Sequence, residues 1–498
     1  MKPVEGVDVN STTYQTYDLC VVGAGIAGLN ALFVASRYLS HGQRIALIDS
    51  RSRAGGMWID TYPYVRLHQP HPFFTAGNVE WELGVDRSHL ATKSEVLDHF
   101  QRCLDVVKRR VHVDEFFGWT LESTAEDSNG VQLTCRSSAD QQTVITAKRV
   151  VKAYGLGVVQ NEPLPVTSSR VQSVSPDYCD VRSGAIADSS APVWVIGGGK
   201  TAMDTAYALV TAHPGREINM LAGSGTFFIS RNQLYPRGAA RWWTGSVPSA
   251  ALRDVALTFD GSNERATADR LREGLGISPT PRASHFLLGM LSEEESAAIV
   301  SGVNEMVMDH LVDVVDGSGG VELRLRSGAT KAVDPGSWII NCTGYVGRVE
   351  QAYEPYISDS GRVLSLNTRS AAMHLPAFMG YFLTHLFFLN KLGSVPLYEL
   401  DLQELQRKSK AVLPYAIISL AHHNLSLTFD AVPAKAFADC GLDLDRWYPL
   451  PRRLLATARF MCTHRREREH HRHALDTVRE RFDIRCGPLG HVVSLADW

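Results

Sequence analysis

Apolar and polar positions along the chain repeat one pattern twice before a helical region begins. "YDLCVVGAG" (17–25) is an apolar strand that enters glycines, a helical stretch runs on to Ser36, and "RIALIDS" (44–50) is a second apolar strand. After residue 190 the order returns, because "APVWVIGGGKTAMDTAYALV" (191–210) indicates a strand, a glycine turn and a helix, and "EINMLAGSG" (217–225) the next strand. Buried strands that alternate with helices predict parallel sheets of the α/β class.

Further elements are predicted around these units. "TKSEVLDHFQRCLDVVKRR" is a helix that begins with a capping box of Thr92 and Glu95. "FGWTLES", "GVQLTCRS" and "QQTVITA" form an antiparallel meander, and "RVVKAYG" is the apolar strand that follows it. Strands return near 310–345, and "FMGYFLTHLFFLNKL" is a buried helix, too short to cross a membrane.

The fold class is therefore α/β, with one Rossmann-like dinucleotide-binding domain, a second such domain inserted in it, and a helical C-terminal region. The predicted boundaries are 1–165 and 331–400 for the two parts of the first domain, 190–330 for the inserted domain, and 401–498 for the helical region. The segment 246–310 reads as a helical insertion without a recognisable motif. A Pro- and Ser-rich linker, "QNEPLPVTSSRVQSVSPDYC", precedes the inserted domain.

Composition narrows the class of protein. The net charge of -3 gives no electrostatic reason to expect nucleic acid, and the polar start "MKPVEGVDVNSTTYQTYD" does not resemble a secretion leader. Eight cysteines without a CxxC pair are typical of reduced thiols in a cytoplasmic protein. In "HRREREHHRH" (464–473) the arginines and glutamates between the histidines favour a solvated helix over a metal site, so no metal ligand is predicted.

The first glycine turn carries the stronger chemical signal. "GAGIAG" places Gly23, Gly25 and Gly28 in the GxGxxG spacing, where they allow a tight turn, close approach of a pyrophosphate, and close packing of helix on strand. Asp49 ends the next strand, where a carboxylate binds ribose hydroxyls, and Ser50 follows it. Strand, turn, helix and acid together predict a bound dinucleotide.

The second turn, "GGGKTA", repeats the spacing with Gly197, Gly199 and Ala202, and includes Lys200 and Thr201. No acid closes its second strand, which argues against tight selectivity for NADH, and a turn that is only structural is the alternative. The candidates for a 2′-phosphate contact, which would select NADPH, are Lys200, Arg231 and Arg237.

Two dinucleotide folds in one chain resemble the two-dinucleotide-binding-domain flavoproteins. Within that group "GGMW" (55–58) resembles the GGxW signature of flavin-containing and Baeyer–Villiger monooxygenases, "NCTGY" the later ATG-type motif, and "KAYG" its earlier counterpart. The resemblance implies FAD on the first fold and NADPH or NADH on the second. It also implies that Gly56, Met57 and Trp58 lie beside the flavin and that Thr343 and Gly344 close over it.

The resemblance further suggests the catalytic residues. "RLHQPHPFF" aligns with the segment where flavin-containing monooxygenases carry an asparagine, here Gln69, and where Baeyer–Villiger enzymes have an aspartate nearby, here His68. Arg66, His68 and Gln69 are therefore the predicted catalytic residues. The usual FxGxxxHxxx(W/Y) motif before the second fold is replaced by "SSRVQSVSPDYC", in which Tyr178 alone fits.

The implied activity is an FAD- and NAD(P)H-dependent monooxygenase that acts through a flavin C4a-(hydro)peroxide on a small organic substrate, by N- or S-oxygenation or in a Baeyer–Villiger reaction. Two alternatives stay open: an NAD(P)H oxidoreductase or oxidase without oxygen insertion, and a non-catalytic flavin-binding regulatory protein. The expected partners are a small-molecule substrate and dioxygen, without nucleic acid or a transmembrane segment, and a homodimer is an open alternative to a monomer.

Overall fold

The computed structural model describes residues 14–155, 157–317, 319–344, 349–367 and 369–489. Residues 1–13, which open the polar start of the chain, and Tyr345 of "NCTGY" lie outside them. The strands of the described residues are β1 Tyr14–Val22, β2 Arg44–Asp49, β3 His112–Phe117, β4 Trp119–Glu126, β5 Val131–Ser137, β6 Gln142–Lys152, β7 Gln172–Val174, β8 Val193–Ile196, β9 Ile218–Leu221, β10 Thr226–Ser230, β11 Gly276–Ile277, β12 His285–Leu291, β13 Glu305–Val307, β14 Leu311–Gly317, β15 Gly320–Leu325, β16 Thr330–Val333, β17 Trp338–Asn341, β18 Val363–Ser365, β19 Ser370–Ala371, β20 Tyr398–Asp401 and β21 Cys486–Pro488.

The α-helices are α1 Ile26–Tyr38, α2 Lys93–Lys108, α3 Gly184–Asp188, α4 Lys200–Ala212, α5 Arg231–Leu234, α6 Pro248–Thr258, α7 Glu264–Leu275, α8 Glu293–Gly302, α9 Pro376–Phe378, α10 Thr384–Phe388, α11 Leu402–Lys408, α12 Leu413–Ala431, α13 Ala434–Ala438 and α14 Leu450–Phe482. Short 3₁₀ helices are Gly56–Ile59, His71–Phe73, Gly238–Trp242 and Leu444–Trp447. A π-helical turn, Met379–Leu383, joins α9 to α10, and its residues are buried, as predicted for this segment. No helix among the described residues is long and apolar enough to cross a bilayer.

The first sheet has the order β3-β2-β1-β6-β5-β4, with β18 also paired to β6. Its strands β1, β2, β3, β6 and β18 run parallel, whereas β4, β5 and β6 form the predicted antiparallel meander. Helix α2 begins at the predicted capping box, in which Thr92 and Glu95 bond each other's backbone N–H groups. This sheet and α1 form the first Rossmann-like fold, as the sequence predicted.

The second parallel sheet has the order β13-β9-β8-β17-β7, with α4 between β8 and β9. Two of its strands lie outside the predicted range 190–330. Strand β7 comes from the segment predicted as a linker, and β17 from the segment assigned to the first domain, yet both pair within this sheet. The pattern hides this arrangement because long-range pairing, not local periodicity, decides which sheet a short apolar strand joins.

Two other segments differ from the prediction. The range 246–310 is not only helices and loops, because β12 pairs in parallel with β10 and β13 with β9. Beyond residue 400 the chain is mainly helical, as expected, and α14 carries the histidine-rich stretch. That stretch is not entirely solvated, since His464 and His471 are buried where α14 packs on α12.

Candidate active site

The first glycine turn is built as its spacing predicts. Gly23 has a φ of +106°, and a Cβ there would lie 2.3 Å from the carbonyl oxygen of Ala153. At Gly28 a Cβ would lie 1.7 Å from the Gly23 carbonyl oxygen, so only glycine lets α1 pack this closely on β1. Helix α1 has no side-chain cap and no acid in its first turn, which leaves its N-terminal N–H groups available for an anion.

Asp49 and Ser50 stand at the end of β2, beside this turn. The buried carboxylate of Asp49 accepts hydrogen bonds from the backbone N–H of Ala24 at 2.7 Å and of Arg51 at 2.8 Å. Asp49 therefore fixes the shape of the glycine turn, and each of its oxygens keeps a second lone pair for a ribose hydroxyl. Ser50 is exposed and lines the same cavity.

The Gly55–Gly56 pair packs against the first turn. Gly56 has a φ of +53°, and a Cβ on it would lie 2.8 Å from the Cα of Gly25. The second glycine thus allows two loops to touch, which is a reason for "GGMW" that the sequence alone did not give. Trp58 is half-buried, with its ring centroid 5.6 Å from that of Phe74, and Met57 is exposed.

Most of the predicted site residues line one cavity of about 530 Å³. This volume is within the range typical of ligand sites. Its wall includes the following predicted residues: Gly23, Gly25, Asp49, Ser50, Gly56, Met57, Trp58, Arg66, His68, Gln69 and Lys200. Residues from the range 22–69 of the first domain and the start of α4 in the second domain therefore line one cavity.

Gln69 lines this cavity and carries one buried polar atom without a partner among the described residues. Its Oε1 is buried, and the described residues supply no hydrogen-bond partner for it. A buried acceptor without a donor costs about 1–3 kcal/mol, so such an atom is retained where a ligand satisfies it. The atom marks the place at which a bound group with an N–H or O–H donor fits.

His68, the neighbouring residue, is held neutral. Burial and the nearby cations Lys200 and Arg231 lower the pKa of His68 to about 3. Its Nδ1 accepts a hydrogen bond from the backbone N–H of Met290 at 3.1 Å, so the single ring proton is on Nε2. His68 is therefore a fixed neutral donor at the working pH of most enzymes.

Arg66 faces the second domain. Its guanidinium lies 3.5 Å from the carboxylate of Glu295 and 5.5 Å from the ring centroid of Tyr207. Glu295 also forms an ion pair with Arg231 at 2.9 Å. Burial of Glu295 opposes its ionisation, but Arg231 and Lys200 keep the pKa of its carboxyl below the usual range. Arg231 in turn donates from Nε to the carbonyl oxygen of His68 at 2.7 Å. This network ties the 66–69 loop to α5 and α8.

The second glycine turn has free space beside Gly199. A Cβ on Gly197 would lie 2.4 Å from the carbonyl oxygen of Cys342, whereas a Cβ on Gly199 would meet no atom within 4 Å. Ala202 is buried under the turn and Thr201 is half-buried. Helix α4 also lacks a side-chain cap and a first-turn acid, so its N-terminus can receive a pyrophosphate.

The 2′-phosphate candidates already have partners or lie apart. Lys200 pairs with Asp204 one turn along α4, and Asp204 also accepts a hydrogen bond from the Tyr62 hydroxyl at 2.8 Å. Arg231 is buried in its ion pair with Glu295. Arg237 is exposed at a separate pocket of about 300 Å³.

Thr343 and Gly344 are not among the residues of the cavity wall. They follow β17 in the second sheet, where the Thr343 carbonyl oxygen accepts a hydrogen bond from Asn161 at 2.6 Å. Because β17 pairs with β8, the motif follows a strand of the second sheet, and its closure over a flavin stays a prediction. The earlier motif does reach the cavity, through Ala153, Tyr154 and Gly155.

Sequence reasoning missed the contribution of β12. Leu287, Leu288 and Gly289 line the cavity at a register shift in the pairing of β10 with β12. Leu288 has a φ of +58°, an unusual conformation for leucine that often marks functional sites. No local signal predicts a left-handed leucine, because the surrounding pairing imposes it.

The described cavity wall contains no cysteine. The described cysteines are buried apart from Cys179, which is half-buried, and the exposed Cys462. The wall therefore offers no thiol for exchange with a disulfide substrate.

The site fits FAD on three observations of its own. The uncapped N-terminus of α1 can bind a pyrophosphate, and Asp49 has free lone pairs for the ribose hydroxyls. The unpartnered Oε1 of Gln69 can accept a hydrogen bond from a donor such as a flavin ring N–H. The uncapped turn at Gly199 fits the pyrophosphate of a nicotinamide nucleotide in the same way.

Comparison with known proteins agrees with this architecture. Residues 17–232, which contain both glycine turns, match the family model of the pyridine nucleotide-disulphide oxidoreductases. An uncharacterized protein of Mycobacterium tuberculosis is 33% identical over 97 residues, which are 18% of this chain and 17% of that protein. The chain thus matches less than a fifth of the length of that relative.

Two solved structures are similar at lower identity. A mutant flavin monooxygenase from Stenotrophomonas maltophilia is 13% identical, with a TM-score of 0.45 over 76% of this chain and 99% of that one. The bacillithiol disulfide reductase of Staphylococcus aureus is 12% identical, with a TM-score of 0.45 over 76% of this chain and 98% of that one. The sheet topology shows two parallel, Rossmann-like sheets, and the match over 17–232 spans the glycine turn of each.

Proposed function

We propose that the protein is an FAD- and NAD(P)H-dependent monooxygenase that oxygenates a small organic substrate. The observation that carries the proposal is the buried, unpartnered Oε1 of Gln69 in the cavity wall, beside a histidine held neutral. A cavity without a described cysteine also favours dioxygen over a disulfide as the oxidant.

The residues of the chain divide the work by domain. FAD, when bound, supplies the redox chemistry between NAD(P)H and dioxygen. The turn of Gly23 and Gly25 and the N-terminus of α1 hold its pyrophosphate, and Asp49 orients its ribose. The turn at Gly199 holds the nicotinamide nucleotide from the other domain.

The 66–69 loop controls the polar environment of the reacting end. Gln69 contributes an amide and His68 an Nε2–H donor, and neither changes its charge between pH 5 and 9, since the pKa of His68 is about 3. Leu287 and Leu288 of β12 add apolar surface to the same cavity wall. Fixed dipoles in a water-poor site stabilise polar oxygen species far better than mobile water does.

Rapid mixing of the reduced protein with dioxygen tests the proposal. The flavin spectrum of the parent should pass through a long-lived transient, distinct from the reduced and oxidised forms, before hydrogen peroxide appears. Gln69→Ala should keep normal reduction by NAD(P)H but shorten this transient about 10²-fold, since a preorganised partner is lost. Gln69→Asn, which keeps the amide, is the matched control and should restore part of the lifetime.

Two results would contradict the proposal. Reoxidation of the parent in one step, with immediate peroxide release, would identify an oxidase. A flavin that neither NADPH nor NADH reduces would identify a binding protein.

A further inference from the structure

An exposed apolar surface lies away from the cavity, on the first half of α14 and the loop that docks on it. We define the α14 surface as the exposed side chains Trp242, Trp243, Leu450, Leu454, Leu455 and Met461, with Arg459 and Arg466 beside them. Trp243 is 73% exposed and Leu455 is 74% exposed. None of these residues lines the cavity. Large apolar side chains grouped in this way mark a binding surface.

The helix presents one apolar stripe outward. Leu450, Leu454 and Met461 recur at intervals that place them on one face at 3.6 residues per turn, and Leu455 widens that face. Packing on α12 holds the helix through its other half, at buried positions such as Leu475 and Val478. The apolar stripe is therefore fixed in place and lacks a partner among the described residues.

The tryptophan loop is fastened to the same helix. The guanidinium of Arg452 donates hydrogen bonds to the carbonyl oxygens of Arg241 at 3.1 Å and Gly245 at 2.7 Å, and so clamps the loop on both sides of the two tryptophans. Both indoles project from this clamped loop into solvent. Tryptophan is enriched at the water–lipid interface, where its apolar ring and its N–H are both accommodated.

Positive charge surrounds the apolar side chains. The segment 449–466 contains five arginines and neither aspartate nor glutamate. Among the described residues Arg459, Arg466 and Arg241 have no ion pair, whereas Arg453 pairs with Asp443 and Arg465 with Asp430. Arg87 lies close to two of these arginines. Its burial, together with the charges of Arg241 and Arg453, lowers its pKa.

We propose that the α14 surface binds the surface of an anionic lipid bilayer, with its leucines and tryptophans among the lipid headgroups and its arginines on the phosphates. An apolar stripe bordered by arginine, with tryptophan beside it, is the composition of a helix that lies in the plane of a membrane. A second copy of the chain is the less suitable occupant, since two-fold pairing would bring Arg459 and Arg466 near their own counterparts without an acid to neutralise them.

Flotation of the full-length, flavin-loaded protein with vesicles tests this binding. Vesicles of phosphatidylcholine with one quarter phosphatidylglycerol should carry the protein, and vesicles of phosphatidylcholine alone should carry much less. Arg459→Glu with Arg466→Glu should weaken binding tenfold or more, because each basic residue near such a surface contributes about fivefold. Arg265→Glu with Arg270→Glu, on exposed positions of α7, changes the net charge equally and should bind like the parent.

The apolar contribution has its own variants. Leu454→Gln with Leu455→Gln should abolish flotation, while Val300→Gln with Val312→Gln, at exposed positions elsewhere, should not. Brominated lipids should quench part of the tryptophan fluorescence of the parent, and Trp242→Phe with Trp243→Phe should remove that quenching. Flavin content reports that each variant is folded.

Three outcomes would overturn the proposal. The parent would fail to float with anionic vesicles, or the α14 variants would float as well as their controls. Alternatively, sedimentation would show a dimer that Leu454→Gln with Leu455→Gln dissociates and that vesicles do not compete away.

Discussion

Replacement of Gln69 by methionine separates a role toward a bound flavin from a role within the protein. Methionine has nearly the length of glutamine but lacks the amide, so Gln69→Met removes the buried, unpartnered Oε1 while it fills the same space. In the flavin-free protein the substitution should raise the free energy of unfolding by roughly 1–3 kcal/mol, the cost of burying an unsatisfied acceptor. In the loaded protein it removes a hydrogen bond worth about 1 kcal/mol, and the two effects together, about 2–4 kcal/mol, weaken the FAD affinity roughly 30- to 1000-fold.

The two effects have opposite signs and are measured separately. Denaturant unfolding of the flavin-free protein gives the first, and fluorescence titration with FAD gives the second. Gln132→Met, at an exposed glutamine of β5, is the control and should change stability by less than about 0.5 kcal/mol. A flavin-free Gln69→Met protein that is less stable than the parent, with unchanged FAD affinity, would show that the amide bonds within the protein and would refute the argument.

Other predictions follow from the turns and from buried histidines. Gly25→Val should yield protein without yellow cofactor, because its Cβ would stand 3.3 Å from the Cα of Gly56 and its methyl groups would enter the pyrophosphate site; a yellow variant would contradict this. Gly199→Val should remain yellow and stable, since its Cβ meets no atom within 4 Å, yet should lose reduction by NADPH and NADH in stopped-flow measurements. Stability should fall as the pH decreases below about 6.5, because burial lowers the pKa of His99 and of His471 to about 3 and the unfolded chain binds these protons first. His471→Leu should reduce that pH slope by about one proton in thermal unfolding, and an unchanged slope would contradict the assignment.

Local features of the fold were predictable because short-range chemistry decides them. The GxGxxG turn follows from backbone geometry that only Gly23 and Gly28 allow, and the capping box of α2 follows from Thr92 and Glu95. The same local logic placed Asp49 at the end of its strand. These features depend on neighbours within a few residues, which a sequence displays directly.

Features that depend on distant pairing were not predictable in the same way. Strand β17 has the apolar composition of a strand in either sheet, so its motif was assigned to the wrong one. The sequence suggested that Lys200 and Arg231 are available for a phosphate, but in the structure they form ion pairs with Asp204 and Glu295. The left-handed Leu288 has no sequence signal at all.

Hydrogen bonds join the loop of residues 62–69 to the second domain at several places. Tyr62 donates to Asp204 at 2.8 Å, and the Tyr64 and Thr205 hydroxyls lie 2.8 Å apart, so two tyrosines of the first domain fix α4. Farther along the loop, His68 accepts two hydrogen bonds. The backbone N–H of Met290 donates to its ring nitrogen, and the guanidinium of Arg231 donates to its carbonyl oxygen. A rotation of the second domain about the first would break these bonds together, at about 0.5–1.5 kcal/mol each. One loop, residues 62–69, therefore joins the cavity wall to α4, α5 and β12.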